Sequence, residues 1–371
     1  MRHTWAAALG GAVLVPLVTW FPMLAARLPW LGLPRYEAAQ GLDLWALQTF
    51  WLAAISAVAL LVGARDRWLG VTLGVVGVTV FLRGATMDPT QSVMFVFGAL
   101  LLAGVRELPQ GWAPPLVRVV LIGCATFQIG YLMLQHRGYD PLWGPWVGGV
   151  LAAHLQPFGT LGGVDASSLY VAILSPLLPW AILPFAAWVV WNGHSMGAIA
   201  ALCIGLAWKG LRLVGMKLEA VMILALLASV LTFSGIYLHK ETHTGRIAVW
   251  QFATQHWVRT DPILGYGLGG WAQRIPAYQQ AEGFMPAREA WREAHNEPLQ
   301  WLVETGLVGL LLLGLWCYDH RRMFLDPVWG PSVAALAASS LTFHPFHIVA
   351  SALVGIVLVG CATRTEAPCA A

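Results

Sequence analysis

The sequence predicts an all-α protein that crosses a membrane many times. Apolar residues make up 58% of its 371 residues and charged residues 11%, and the mean hydropathy is +0.67. A soluble globular chain carries about 25% charged residues, so this chain has too little charge to cover a water-facing surface. A soluble enzyme and a disordered chain are thereby excluded. The net charge of +3 gives no basis for nucleic-acid binding.

Twelve apolar runs are candidate spans. They are residues 5–24, 44–63, 68–82, 92–105, 116–135, 166–179, 180–193, 195–208, 218–238, 299–318, 331–344 and 348–362. At about 20 residues per span, a chain of this length holds about twelve spans joined by short loops. Pro16 and Pro22 replace a small-residue cleavage site in the first run, so we interpret this run as a span and not as a signal peptide. We predict a single membrane domain over residues 1–371.

Basic residues in the short loops predict which ends of the spans face the cytoplasm. The clearest basic loops contain Arg65 and Arg67, Lys209, Arg212 and Lys217, and Arg321 and Arg322. Such loops lie inside in polytopic proteins. If residues 166–191 formed one span, the loop that begins at Lys209 would fall outside. We therefore predict an extra crossing and divide this region at its prolines into spans 166–179 and 180–193.

The predicted topology has about twelve transmembrane helices and both termini inside. A crossing at 143–158 would satisfy the same charge rule, so the place of the extra crossing stays open between these two regions. The longest hydrophilic stretch, residues 239–297, then forms one large outer loop. Because this loop concentrates the polar and ionisable side chains, we expect the chemistry there.

The first part of the outer loop predicts an amphipathic helix. In residues 244–258, Ile247, Trp250 and Trp257 belong to an apolar stripe at helical spacing. A helix of this kind beside a span lies in the membrane interface, which would place Arg246 at the level of the lipid headgroups.

A glycine-rich turn follows this helix. Residues 265–270 read Gly-Tyr-Gly-Leu-Gly-Gly and match GxGxxG. A dinucleotide site requires a strand before this motif and a helix after it within a βαβ unit, which a loop between membrane spans does not offer. We therefore interpret the glycines as positions of close backbone packing or as a backbone nest.

The end of the outer loop contains the candidate base. Pro298 is typical of the first turn of a helix, so Asn296 or Glu297 is expected to cap the next span. His295 would then lie just above the membrane, where an imidazole can act as a general base near neutral pH. Glu304 would lie about two turns into the span, either as a functional residue or as a structural hydrogen-bond partner of a neighbouring helix.

These pieces together resemble the O-antigen ligase and polymerase superfamily. Members carry Gly-Arg, a P-x-x-G-x-G turn, His-Asn and Glu-x-Gly in this order in their last large periplasmic loop. Here the pieces are Gly245-Arg246, Pro262 to Gly267, His295-Asn296, and Glu304-Thr305-Gly306. The resemblance covers about residues 155–362.

The resemblance implies a glycosyltransferase of the bacterial inner membrane with its active site on the periplasmic side. Its donor would be an undecaprenyl-diphosphate-linked glycan. The acceptor hydroxyl would belong to lipid A core in a ligase, to a glycan in a polymerase, or to a protein in an O-oligosaccharyltransferase. The single polar outer loop favours the ligase. The resemblance also implies an inverting reaction without metal or cofactor, with His295 as the base and Arg246 on the diphosphate.

The sequence departs from the family at one position. The family usually has Ser-Arg-Gly where this chain has Ser195-Met196-Gly197, and a methionine cannot bind phosphate. Either another residue supplies the cation or activity is lost. The further candidate substrate-binding residues are therefore Arg137, His194, Lys240 and Arg259, together with Asn296 and Glu304.

Two other classes of function remain open from the sequence. One is a glycan-binding relative that has lost catalysis, as Met196 would permit. The other is a transporter or flippase, for which inverted repeats are expected, but residues 1–185 and 186–371 show no convincing similarity to each other. His344 and His347 flank a proline between two spans, and we interpret them as part of a polar, kinked hairpin.

Overall fold

The computed structural model describes residues 98–99, 101–106, 113–140, 159–161, 164–214, 240–283, 291 and 293–363. Every regular element in these ranges is helical, which confirms the all-α prediction. The predicted spans 5–24, 44–63, 68–82 and 218–238, and the alternative crossing at 143–158, lie outside the described residues. Residues 98–99 and 101–106, which overlap the span predicted at 92–105, are helical.

The remaining predicted spans correspond to helices. In chain order the helices are α1 Ala113–His136, α2 Val164–Leu174, α3 Leu183–Asn192, α4 Met196–Leu213, α5 Lys240–Thr260, α6 Gly270–Ala281, α7 Glu297–Asp319, α8 Gly330–Ser340 and α9 Val349–Thr363. Short 3-10 turns lie at Gly159–Leu161, Ser175–Leu177, Arg321–Leu325 and Pro345–His347. Prolines in the first turns of α3, α7 and α8 favour these starts, because a proline there loses no helical hydrogen bond.

Three of these helices, α1, α4 and α7, are long and apolar enough to cross a membrane. The described structure therefore supports a helical membrane protein, while the count of twelve spans stays a prediction. Helices α2 and α9 are apolar but shorter.

Helices α2 and α3 form a helical hairpin, as the division of residues 166–193 at the prolines predicts. The chain turns between them at Leu178–Ile182, where Pro179 lies. The Lys209 Nζ atom, near the end of α4, donates to the carbonyl oxygen of Leu178 at 3.3 Å. At the other end of the hairpin, Gly193 packs against Ser168. The two helices thus run in opposite directions, and their turn lies at the basic end of α4.

Helix α4 packs between α2 and α8, and its two ends contact different parts of the chain. At its basic end, Trp208 Nε1 donates to the Phe324 carbonyl at 2.9 Å, and Arg212 Nη2 donates to the Leu325 carbonyl at 2.9 Å. At its start, Gly197 packs against Phe343. The basic segments of α4 and of the α7–α8 connection therefore meet at one end of the bundle, opposite the end that carries the candidate site.

Helix α7 is broken at Gly306, which has φ 68° and ψ −170°. The segment before α6 fills this break, and backbone hydrogen bonds join the two. They run from Tyr266 N to Val303 O (2.9 Å), Gly267 N to Glu304 O (2.8 Å), Leu307 N to Pro262 O (3.0 Å) and Val308 N to Ile263 O (3.2 Å). A side chain at Gly306 would collide with the Ile263 carbonyl. Close backbone packing, one of the two interpretations of the glycine turn, is thereby confirmed.

Helix α5 confirms the predicted helix, but its buried face differs from the predicted apolar stripe. Val249, Phe252 and Trp257 are buried in a core shared with the glycine turn, α6 and α7, which includes Trp271 and Val303. Of the stripe residues Ile247, Trp250 and Trp257, only Trp257 is buried, and the other two are half-buried.

Candidate active site

His295 lies in the short connection before α7, in an unusual backbone conformation. Its φ is 52°, and such a left-handed conformation costs a residue with a side chain about 1–3 kcal/mol. The preceding residue is held at both polar backbone atoms. The Ala294 N–H donates to Gln300 Oε1 at 3.0 Å, and the Ala294 carbonyl accepts from Trp250 Nε1 at 2.6 Å. These contacts stabilise the turn that presents the imidazole.

Asn296 caps α7, as one of the two sequence alternatives predicts. Its Oδ1 accepts from the backbone N–H of Leu299 at 2.8 Å, which satisfies one donor at the helix start. Its Nδ2 donates to the carbonyl of Leu341 at 3.0 Å. Glu297, the other alternative, instead accepts from the backbone N–H of Phe346 at 2.8 Å. The start of α7 is therefore tied to the segment between α8 and α9.

Arg246 reaches the same segment from α5. Its Nη1 donates to the carbonyl of Thr342 at 3.2 Å, and its guanidinium lies 6.0 Å from the ring centre of Trp291. Burial lowers the pKa of Arg246, and the charge of Asp165 at the start of α2 partly opposes this effect. A guanidinium keeps its charge at neutral pH, so this site holds a partly desolvated cation that favours an anionic ligand.

Aromatic rings and a second histidine surround His295. Ring centres lie 5.4 Å away for Trp291, 5.8 Å for Phe343 and 4.4 Å for His344. His344 Nε2 also lies 2.7 Å from the Glu293 carboxylate. The sequence allowed a ligand role for His344, but we favoured a polar, kinked hairpin. The predicted topology could have indicated that His344 lies near His295, because it places both histidines at the outer ends of their spans.

Met196, which stands where the family usually has arginine, lies in a turn next to the side chains that surround His295. Met196 is the first residue of α4 and is 44% exposed. A Cβ at Gly197 would lie 3.1 Å from Phe343 Cβ, so Met196 adjoins the segment that contacts both His295 and Arg246. His194 precedes it, is exposed and has φ 51°.

Arg259 and Arg137 lie elsewhere. Arg259 follows Arg246 by 13 residues in α5, which is about 20 Å along a helix, and it is exposed. This separation is too long for both arginines to contact one diphosphate. Arg137 is exposed in the turn after α1. Lys240 begins α5, six residues before Arg246 and thus about 9 Å from it along the axis.

Glu304 is 4% exposed, and the protein itself engages its carboxylate. Oε2 accepts from Gly269 N at 2.9 Å, and Oε1 accepts from Trp271 N at 3.3 Å and from Gln300 Nε2 at 3.2 Å. The glycine turn is therefore also a backbone nest around an anion, and that anion is a side chain of the same protein. Of the two sequence interpretations of Glu304, this geometry matches the structural one.

His295 and Arg246 provide the two kinds of group that are needed to transfer a substituent away from a phosphate leaving group. An imidazole can accept a proton, and a guanidinium can bind phosphate oxygens. Among the described residues, no group of three or more His, Cys, Asp and Glu side chains is arranged to hold a metal ion.

The comparison with protein families agrees with the resemblance. Residues 169–314 match the model of the family described as O-antigen ligase, whereas no curated protein matches the chain. The matched segment runs from α2 into α7 and includes Arg246, His295 and the interlocked glycine turn. This family implies a membrane protein with glycosyltransferase-type activity on a lipid-linked glycan and an acceptor. Over residues 169–314, the chain is thus similar to the O-antigen ligase family.

Proposed function

We propose that this protein moves a glycan from an undecaprenyl-diphosphate donor to an acceptor hydroxyl at the periplasmic face of the inner membrane. The observation that carries the proposal is the convergence of Arg246 and His295. Both contact Trp291 and the segment 342–343, although they come from different helical regions. A cation and a base thus share one cluster at the end of the bundle opposite the basic loops.

Arg246 is proposed to bind the diphosphate. When the bond between the anomeric carbon and the phosphate oxygen breaks, negative charge grows on undecaprenyl diphosphate. A positioned donor at such a site contributes about 3–4 kcal/mol to transition-state stabilisation. The partial burial of Arg246 strengthens this interaction because less water screens it.

His295 is proposed to accept the proton of the acceptor hydroxyl as its oxygen attacks the anomeric carbon. The new bond forms on the face opposite the departing diphosphate, so the reaction inverts the anomeric configuration. The proton passes to the imidazole and the electron pair of the broken bond leaves with the diphosphate. The reaction balances without a metal or a cofactor.

The other candidate substrate-binding residues are assigned by position. His194 is proposed to bind the diphosphate through a ring N–H, because it lies two residues before Met196. Lys240 is a second candidate for this role. Arg259 and Arg137 would contact the glycan or the acceptor, since Arg259 is too far from Arg246 to share its ligand. Asn296 would act by holding the start of α7.

We propose a ligase-type acceptor such as lipid A core. A polymerase would use a glycan and an O-oligosaccharyltransferase a protein, and the same base and cation would serve all three. The test is a transfer assay with purified protein in liposomes, an undecaprenyl-diphosphate oligosaccharide and each acceptor class. The readout is acceptor-dependent release of undecaprenyl diphosphate, with and without EDTA.

His295→Ala is the critical variant and His256→Ala is its matched control. His256 lies in the same outer loop but pairs with Glu282 at 2.9 Å and stacks on Tyr278. We expect release that is insensitive to EDTA, falls at least about 100-fold in His295→Ala and is retained in His256→Ala. Donor binding without release by the wild type would instead indicate a non-catalytic relative. Release unaffected by His295→Ala would refute the proposed base.

A further inference from the structure

We infer that Gln300 and Glu304 are positioning residues for His295, acting through the backbone of Ala294. This inference rests on the proposed role of His295 as the base. It assigns Glu304 a role different from substrate binding, and it adds Gln300, which no motif of the sequence singles out.

A continuous chain of hydrogen bonds joins Glu304 to the residue before His295. Gln300 uses both ends of its amide: Oε1 accepts from Ala294 N at 3.0 Å, and Nε2 donates to Glu304 Oε1 at 3.2 Å. Gln300 and Glu304 are four residues apart in α7 and thus share one helix face. Both are buried, with Gln300 2% and Glu304 4% exposed. Water therefore offers little competition for these bonds.

The glycine turn fixes the far end of this chain. Gly269 N and Trp271 N both donate to the Glu304 carboxylate, and Gly267 N donates to the Glu304 carbonyl. A buried carboxylate is costly unless hydrogen bonds satisfy its oxygens. The turn therefore holds Glu304 in one position, and Glu304 in turn orients the amide of Gln300.

His295 needs such support because its backbone is in the left-handed region. Without the bond from Ala294 N to Gln300, Ala294 keeps the bond from Trp250 Nε1 to its carbonyl but loses the restraint on its N–H, so the left-handed φ of His295 is less well supported. The imidazole would then shift relative to Arg246 and His344. A displacement of about 1 Å in an active site is enough to lower a rate about 100-fold.

These hydrogen bonds give a physical reason why the glycine turn, His295-Asn296 and Glu304-Thr305-Gly306 occur in the same protein. The turn binds the carboxylate, the carboxylate orients the glutamine, and the glutamine holds the residue before the histidine. Gly306 opens α7 so that the turn can approach. The three pieces are parts of one buried hydrogen-bonded unit, and only His295 among them faces the proposed reaction.

The first test compares Gln300→Leu with Thr305→Val. Thr305 lies on the same helix, is buried, and bonds only to Trp301 of its own helix among the described contacts, so it is a matched control. We expect Gln300→Leu to lower kcat about 10- to 100-fold per folded protein and to leave the donor KM within about twofold. Thr305→Val should keep both values. Folded protein is quantified by thermal unfolding and size-exclusion chromatography in detergent.

The second test exchanges the two side chains. Gln300→Glu places two buried carboxylates side by side and removes the donor to position 304. The double variant Q300E/E304Q restores one carboxylate and one amide. The Ala294 N–H and the amide at position 304 then donate to the carboxylate at position 300, and the glycine turn donates to the amide oxygen. We expect the double variant to recover at least about tenfold of the kcat lost in Gln300→Glu.

A third readout does not depend on transfer. Diethylpyrocarbonate modifies accessible imidazoles, and mass spectrometry measures the rate at His295 and at His256 as an internal reference. A positioning role predicts a change of at least about threefold at His295 in Gln300→Leu and no change in Thr305→Val.

These outcomes separate the inference from the proposed function. An inactive wild type with altered His295 modification in Gln300→Leu would refute the transferase and retain the positioning role. An active wild type whose kcat is the same in Gln300→Leu would refute the positioning role. So would a double variant no better than Gln300→Glu, or an unchanged modification rate at His295.

Discussion

The His344 imidazole lies 2.7 Å from the Glu293 carboxylate and packs edge-on against His295, with 4.4 Å between the two ring centres. A carboxylate that accepts from one ring nitrogen fixes the orientation of an imidazole. His344 is thereby held in one orientation against the imidazole of His295, the proposed base. The Glu293 carboxylate also lies near the positive charge that His295 would gain.

Glu293→Gln is therefore expected to lower kcat about tenfold. A hydrogen bond to a charged group contributes about 1.5–3 kcal/mol, and 1.4 kcal/mol corresponds to about tenfold in rate. The measurement is undecaprenyl diphosphate release at saturating donor. Glu282→Gln is the control, because Glu282 pairs with His256 outside the cluster. Equal kcat in the two variants would contradict a role for the Glu293–His344 pair.

Arg246→Lys is expected to reduce transfer about 100-fold, since a lysine does not bind two phosphate oxygens as a guanidinium does. The loss should appear in kcat/KM for the donor. Arg274→Lys provides a matched control, because Arg274 lies in the same outer loop but pairs with Asp261 at 3.3 Å and contacts the Tyr266 ring. A similar loss in both variants would show that Arg246 has no special role.

Met196→Arg is expected to raise donor affinity. Met196 lies at the exposed start of α4 beside the segment that Arg246 contacts, so an added guanidinium would supply a second cation. One charge-assisted hydrogen bond of about 1.5 kcal/mol would lower the donor KM about tenfold. Met196→Gln, which has similar length and no charge, separates charge from shape. If neither variant changes donor binding, position 196 does not face the diphosphate.

Gly306→Ala is expected to destabilise the fold by about 2 kcal/mol or more, because alanine is strained at φ 68° and its Cβ would meet the Ile263 carbonyl. Gly314→Ala is the control on the same helix. Among the described residues, nothing lies within 4 Å of a Cβ at Gly314, so alanine there should be neutral or slightly stabilising. Tryptophan fluorescence during heating in detergent measures both. Equal unfolding midpoints in the two variants would contradict the close backbone packing between α7 and the glycine turn.

Local patterns in the sequence predicted most of the described helices and several of their ends. The apolar runs predicted α1, α4 and α7, and the prolines of residues 166–193 predicted the turn between α2 and α3. Asn296 was correctly placed as one of two candidate caps. These features depend on residues close together in the chain, so their physical causes are visible in a single sequence.

Other parts of the site depend on residues far apart in the chain. The contact between Arg246 and Thr342 spans 96 positions, and the pair of His344 with Glu293 joins different helical connections. No periodicity or spacing predicts such pairs. The buried face of α5 was also missed, because an apolar stripe at helical spacing does not reveal which side of a helix other elements cover.

The sequence by itself determined the class of the protein, the described helical segments and the motifs that place His295 and Arg246 in one hydrophilic stretch, because composition, periodicity and helix-end chemistry are local properties. Only the tertiary structure decided what each motif does. It closed the glycine turn around Glu304 and joined Glu304 through Gln300 to the residue before His295. These relationships follow from packing, in which buried polar atoms must find partners wherever the fold brings them together.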